Sequence, residues 1–124
     1  MIKSILAVGL GSFAGGAARY LVTRWVQIKV TSGFPLGTMV VNVAGCFVLG
    51  LLVGLLGRWG VTNAYVRLFL TVGFCGGFTT FSTFMGDNMV LARGGDVPGL
   101  VLNIALSIAA GAAALWLGGW VSRL

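Results

Sequence analysis

Four long apolar runs separated by short polar stretches organise this chain, at about residues 5–25, 37–56, 66–92 and 99–120. Each reaches the ~20 residues that a helix needs to cross a hydrocarbon core of ~30 Å. Lipid offers no partners to backbone N–H and C=O groups, so spans of this kind are expected to be helices. The pattern predicts an all-α membrane protein, a single domain over 1–124 with four transmembrane helices. Lys3 ahead of the first run gives it the look of a secretory signal, but no soluble domain follows, so it is expected to stay as a helix. A link carrying Lys29 ends at Pro35, Arg58 to Asn63 form the next, and Arg93-Gly94-Gly95-Asp96 make a turn. Pro98 then suits the first turn of the last helix. Small residues recur at Gly9, Gly11, Gly15, Gly16, Ala17 and Ala18 in the first run and at Gly45, Gly50 and Gly54 in the second. Such tracks let helix backbones approach closely.

The third run departs from this pattern. Between Val66 and Ala92 it carries Gly73, Gly76 and Gly77, followed by Thr79, Thr80, Ser82 and Thr83. Each glycine weakens a helix by roughly 1 kcal/mol relative to alanine, and the hydroxyls offer the backbone other hydrogen-bond partners. A break at Gly76–Gly77 is predicted. Irregular backbone at membrane depth survives only where protein buries it or where it lines a polar cavity. The segment therefore reads as an ion site or ion path, not as a simple anchor.

Composition narrows the chemistry. The chain is 58% hydrophobic and 8% charged, against about 25% charged in a soluble domain. It has no histidine and no glutamate, and Asp87 and Asp96 are its only acids. That removes most general acid–base catalysis and any His or Glu metal site; no enzyme is expected. A net charge of +6 would suggest nucleic acid in a soluble protein. Here the basic residues stand singly at span ends, as lipid-headgroup anchors do, so membrane lipid is the expected partner and nucleic acid is not. Cys46 and Cys75 lie in apolar runs with no partner spacing and read as small buried hydrophobes.

Four spans put both termini on one side, with Lys3, Arg58, Arg67 and Arg123; Arg24, Lys29 and Arg93 lie opposite, with Arg19 if it snorkels that way. Orientation follows Lys/Arg bias, and this tally has almost none, so insertion in both orientations is expected. That suits an antiparallel, dual-topology dimer with a two-fold axis in the membrane plane. Four short helices also enclose little alone, and a second copy would supply the missing walls.

Polar side chains within lipid are expensive and point to function. Asn42, in Val-Val-Asn-Val-Ala-Gly, either donates to an anion or holds two helices together. Arg19 either snorkels to the headgroups or holds an anion near a pore entrance. Phe74, Phe78, Phe81 and Phe84 fall near one helical face if helix persists there. A phenyl ring has a positive edge, and an edge attracts an anion without trapping it, the compromise conduction needs. Asp87 is an interfacial acid or a lone proton site. Asn103 and Ser107, four apart and hence on one face, form a polar track or ordinary interhelical hydrogen bonds.

At Gly73-Phe-Cys-Gly-Gly-Phe-Thr-Thr-Phe-Ser-Thr-Phe84, with Gly37-Thr38 and Asn42 in the second run and Arg19 after Gly-Gly-Ala-Ala, the chain resembles the Fluc (CrcB) family of fluoride channels. The resemblance covers the whole chain. It implies passive, selective fluoride export across the inner (plasma) membrane by a dual-topology antiparallel dimer with two pores. Phe81 and Phe84 would line the pore, Asn42 would contact fluoride, and Ser82 and Thr83 would support the break. The resemblance also implies a structural sodium ion at the dimer centre, held by the backbone carbonyls of Gly76 and Thr79. Neutral oxygens suit a monovalent cation better than calcium or magnesium. Two positions depart from the family. Met85 stands where a small or hydroxylated residue is usual, and Ala112 and Trp116 stand where spaced Ser and Thr continue the track that Ser107 begins. A heterodimer in which a paralogous subunit completes the pore stays open on that ground. A non-conducting membrane subunit leaves the Thr/Ser/Phe segment unexplained, and a small multidrug transporter needs a membrane-embedded glutamate that is absent.

Overall fold

The computed structural model describes residues 1–124 and contains helices and turns with no strand. Helix α1 spans Ile2–Gln27 and α2 spans Leu36–Arg58. Helix α3 covers 64–78: an α-helical turn at Ala64–Arg67, a π-helical stretch at Leu68–Cys75, and a final α-turn at Gly76–Phe78. Residues 79–81 are not helical. Helix α4 spans Ser82–Arg93 and α5 spans Val97–Val121. Four segments, with 64–93 as the third, are long and apolar enough to cross a membrane.

Local chemistry sets the helix ends. Asn63 caps α3 by accepting from the amides of Tyr65 and Val66, and Asp96 caps α5 by accepting from Gly99 N at 2.9 Å. Helices α2 and α4 end at glycines with positive φ, Gly60 at 62° and Gly95 at 74°. In each case the next amide reaches back to close the last turn: Val61 N to Leu56 O, and Asp96 N to Leu91 O, both at 3.0 Å. Only glycine adopts that left-handed backbone without steric cost. Arg67 also donates to Leu56 O and Val61 O, covering the end of α2.

Two glycine seams join the helices. Helix α1 lies against α3, where a Cβ on Gly73 would sit 2.9 Å from Gly11 Cα and one on Gly77 would sit 2.7 Å from Ser12 O. Helix α2 lies against α5, with Gly50 opposite Leu115 and Gly119, and Gly118 opposite Phe47 and Leu51. Lipid is as apolar as leucine, so close backbone packing must supply the attraction that water would otherwise drive. Gln27 links the two halves by donating to Phe34 O at 2.9 Å and accepting from Gly37 N at 3.0 Å.

The glycine pair is not where the helix stops. Gly76 is helical, with φ −64° and ψ −37°, and Gly77 follows it in the same turn. Contact with α1 explains Gly77: the seam needs its missing side chain, not its backbone freedom. The chain leaves the helix at Thr79, with φ −91° and ψ 160°. The four phenylalanines consequently do not share a face. Phe74 stacks on Phe78 at 5.9 Å, while Phe81 pairs separately with Phe84 at 6.1 Å beyond the interruption.

Candidate ion site

Ending a helix in mid-span leaves backbone groups that need partners, and side chains from three elements supply them. Thr79 closes the last turn, its amide and its hydroxyl both donating to Cys75 O at 3.0 Å. Arg19 of α1 donates from Nε to Gly77 O at 3.0 Å. Asn42 of α2 holds both sides of one residue: Oδ1 accepts from Thr80 N at 2.7 Å, and Nδ2 donates to Thr80 O at 2.9 Å. The carboxamide thus imitates a neighbouring strand. Thr80 Oγ1 in turn accepts from Thr83 N at 3.2 Å, which caps the start of α4. Neither Gly76 O nor Thr79 O receives a hydrogen bond from any of these groups.

Two cavities flank this irregular segment. A central one of about 360 Å³ is lined by Asn42, Gly76, Thr79, Thr80, Phe81 and Phe84, among others. A polar vestibule of about 290 Å³ lies at the α1–α2 turn and is walled by Arg19, Arg24, Gln27, Thr38, Thr80 and Thr83. Thr80 borders both. Phe84 is 9% exposed and Phe81 is 74% exposed, so one ring of the pair is seated and the other projects from the protomer.

The structure thus gathers Asn42, Gly76, Thr79, Phe81 and Phe84 around one cavity, and Arg19 and Thr83 around the other. Arg19 is turned inward onto a carbonyl. Ser82 is exposed, its hydroxyl 3.5 Å from that of Thr80, and lines neither space. Ser107 stands apart on α5, donating to Asn103 Oδ1 at 3.4 Å. Asn103 donates to Asn88 Oδ1 at 2.7 Å, and these two amides are 1% and 5% exposed. Sequence reasoning passed over Thr80, whose only signal is its place in the hydroxyl run, and Asn88, an amide in an apolar span facing Asn103. Asp87 Oδ2 and Asn88 Nδ2 are enclosed without a hydrogen-bond partner.

Long apolar helices around a polar, backbone-irregular centre define a multi-pass membrane protein. Residues 6–119 match the sequence profile described as CrcB-like protein, Camphor Resistance (CrcB), and the chain belongs to that family. Similar proteins include the fluoride-specific ion channel FluC of Ruminiclostridium cellulolyticum, 46% identical over 86% of this chain and 82% of that protein. The protein of the same name from Phocaeicola vulgatus is 40% identical over 98% of this chain and 100% of its own length. That of Chlorobaculum tepidum is 43% identical over 100% of this chain and 98% of its own. These names describe ion channels, not enzymes. Four apolar spans within such a family make this chain a multi-pass protein of the plasma membrane.

Proposed function

We propose that this protein is a passive, fluoride-selective channel that lets fluoride leave the cell and so relieves its toxicity. One observation carries the reading: the family's Thr/Ser/Phe segment lies at a mid-span interruption where polar groups face two cavities across Thr80. Fluoride enters as neutral HF and is retained inside as the anion. A negative-inside potential then drives the anion out, by about 2.3 kcal/mol per charge per 100 mV, so no coupling acid is needed.

Each side chain has a part in this scheme. Asn42 spends one amide hydrogen on Thr80 O, and its second Nδ2 hydrogen is the donor for fluoride. Phe81 and Phe84 offer ring edges, Thr83 offers a hydroxyl hydrogen, Ser82 supports the break beside Thr80, and Ser107 begins the onward track along α5. Arg19 draws the anion into the vestibule while supporting the break. The exposed Phe81 calls for a second copy to seat it, and an antiparallel homodimer would supply that wall and duplicate the pore.

A structural sodium ion at the centre of such a dimer fits the residues present. Gly76 O and Thr79 O are among the carbonyls that the break leaves without donors, both residues border the central cavity, and no carboxylate does. Two copies would bring four neutral oxygens together. A monovalent cation there would satisfy them and offset the charge of passing anions.

Liposomes containing only this purified chain should discharge a fluoride gradient and leave a chloride gradient intact. Equal fluxes of both anions would refute the proposal, and silence that a co-expressed paralogue relieves would transfer it to a heterodimer.

A further inference from the structure

A third cavity, of about 730 Å³, lies at the opposite end of the protomer from the vestibule. It is a cleft between α2 and α5, floored by Gly50, Gly54 and Gly119 and closed at its end by Arg58 and Arg123. Its inner end is Leu49, which also lines the central cavity. Thr80 borders both the vestibule and the central cavity, and Leu49 borders both the central cavity and the cleft. Three spaces therefore follow one another along α2, past Thr38, Asn42, Leu49 and finally Arg58. At 1.5 Å per residue, the distance from Thr38 to Arg58 is about 30 Å, the thickness of a hydrocarbon core.

No side-chain acid offsets the charge at the far end. Arg58 donates one Nη1 hydrogen to Ser122 O at 3.1 Å, which holds it across the seam and leaves its other donors unspent. Neither acid is near: Asp87 lies in α4, and Asp96 caps the beginning of α5, whose other end carries Ser122 and Arg123.

Building on the channel reading, we infer that the α2–α5 cleft is the second mouth of the anion path. Arg58 and Arg123 concentrate fluoride there from the bulk, and Leu49 forms the apolar neck between mouth and central cavity. The mouth attracts small anions in general, and discrimination among them belongs to the break. A charged funnel of this kind raises local ion concentration and entry rates by ten-fold or more, and salt screens it.

The test compares wild type, R58Q/R123Q and R58K/R123K in vesicles of neutral phosphatidylcholine, at ionic strengths of about 0.01 and 1 M, where the Debye length falls from ~30 to ~3 Å. The glutamine pair should carry about ten-fold less fluoride than wild type at low salt and converge with it at high salt, and the lysine pair should restore the low-salt flux. Equal flux in all three at low salt overturns the mouth while leaving the channel reading intact. A loss of the same size at both salts, or one that lysine does not rescue, assigns the arginines to packing and also overturns it. In a parallel set of vesicles containing anionic lipid, a loss seen only there assigns the arginines to headgroups and also overturns the mouth. A wild-type protein that passes no fluoride, alone or with a co-expressed paralogue, brings down both readings.

Discussion

Gly76 and Gly77 are adjacent in the chain and have opposite surroundings. A Cβ on Gly77 would meet Ser12 O at 2.7 Å and Ser12 Cα at 2.9 Å, whereas one on Gly76 would meet nothing within 4 Å. One glycine belongs to a finished seam against α1. Its neighbour belongs to an exposed face that borders the central cavity together with Thr79 and Phe81. A single turn of helix thus has a packed side and an open side: the α1 side of the third span fixes the protomer, and the open side is where the proposed channel places its chemistry.

Substituting each glycine in turn should separate the two sides. Gly77→Ala pushes a methyl into α1 backbone that cannot rotate away, and overpacking of this kind costs up to about 3 kcal/mol. Thermal unfolding in detergent should show a large loss of stability, and an unchanged midpoint would mean that the seam relaxes freely. Asn42→Ala comes next. It strips Thr80 of partners for both its N–H and its C=O, and each unsatisfied buried group costs about 1–3 kcal/mol. Hydrogen exchange at Thr80 should accelerate while the α2–α5 seam stays protected; equal acceleration in both would make Asn42 a general packing residue. The smallest effect on stability belongs to Gly76→Ala. Alanine suits a helix better than glycine by roughly 1 kcal/mol and here enters open space, so the fold should hold or gain slightly. Fluoride flux should nevertheless fall, because the added methyl crowds the face where a second copy and its sodium ligands are proposed to meet. Undiminished flux would place that meeting elsewhere.

Much of this architecture is legible in the residue pattern, because a bilayer admits so few alternatives. Run length and hydropathy mark four spans, and Asp96 with Pro98 marks the start of α5. Other features depend on contacts that no local signal encodes. The Gly76–Gly77 pair looks like a helix breaker because isolated glycine is flexible, but whether that freedom is used depends on how near Ser12 lies. The phenylalanine spacing suggests a single face, and the non-helical residues 79–81 divide it into two pairs. Asn42 could be read as an anion donor or as a helix tie. In the folded protomer it ties Thr80 with both ends of its amide, a role invisible until residues 38 positions apart are brought together. The Asn88–Asn103 pair, 15 residues apart across the α4–α5 turn, is hidden for the same reason.

The central claim is that the open face of the third span carries the ion, and Phe81 tests it most directly. Its ring is 74% exposed in the protomer, so Phe81→Ala removes little intramolecular packing, and a largely exposed substitution changes protomer stability by only about 0.5 kcal/mol. Fluoride efflux from liposomes should be measured for this variant beside wild type, with circular dichroism confirming equal helical content. The fold should stay intact and fluoride efflux should be lost. Efflux at the wild-type rate from the folded variant would contradict it.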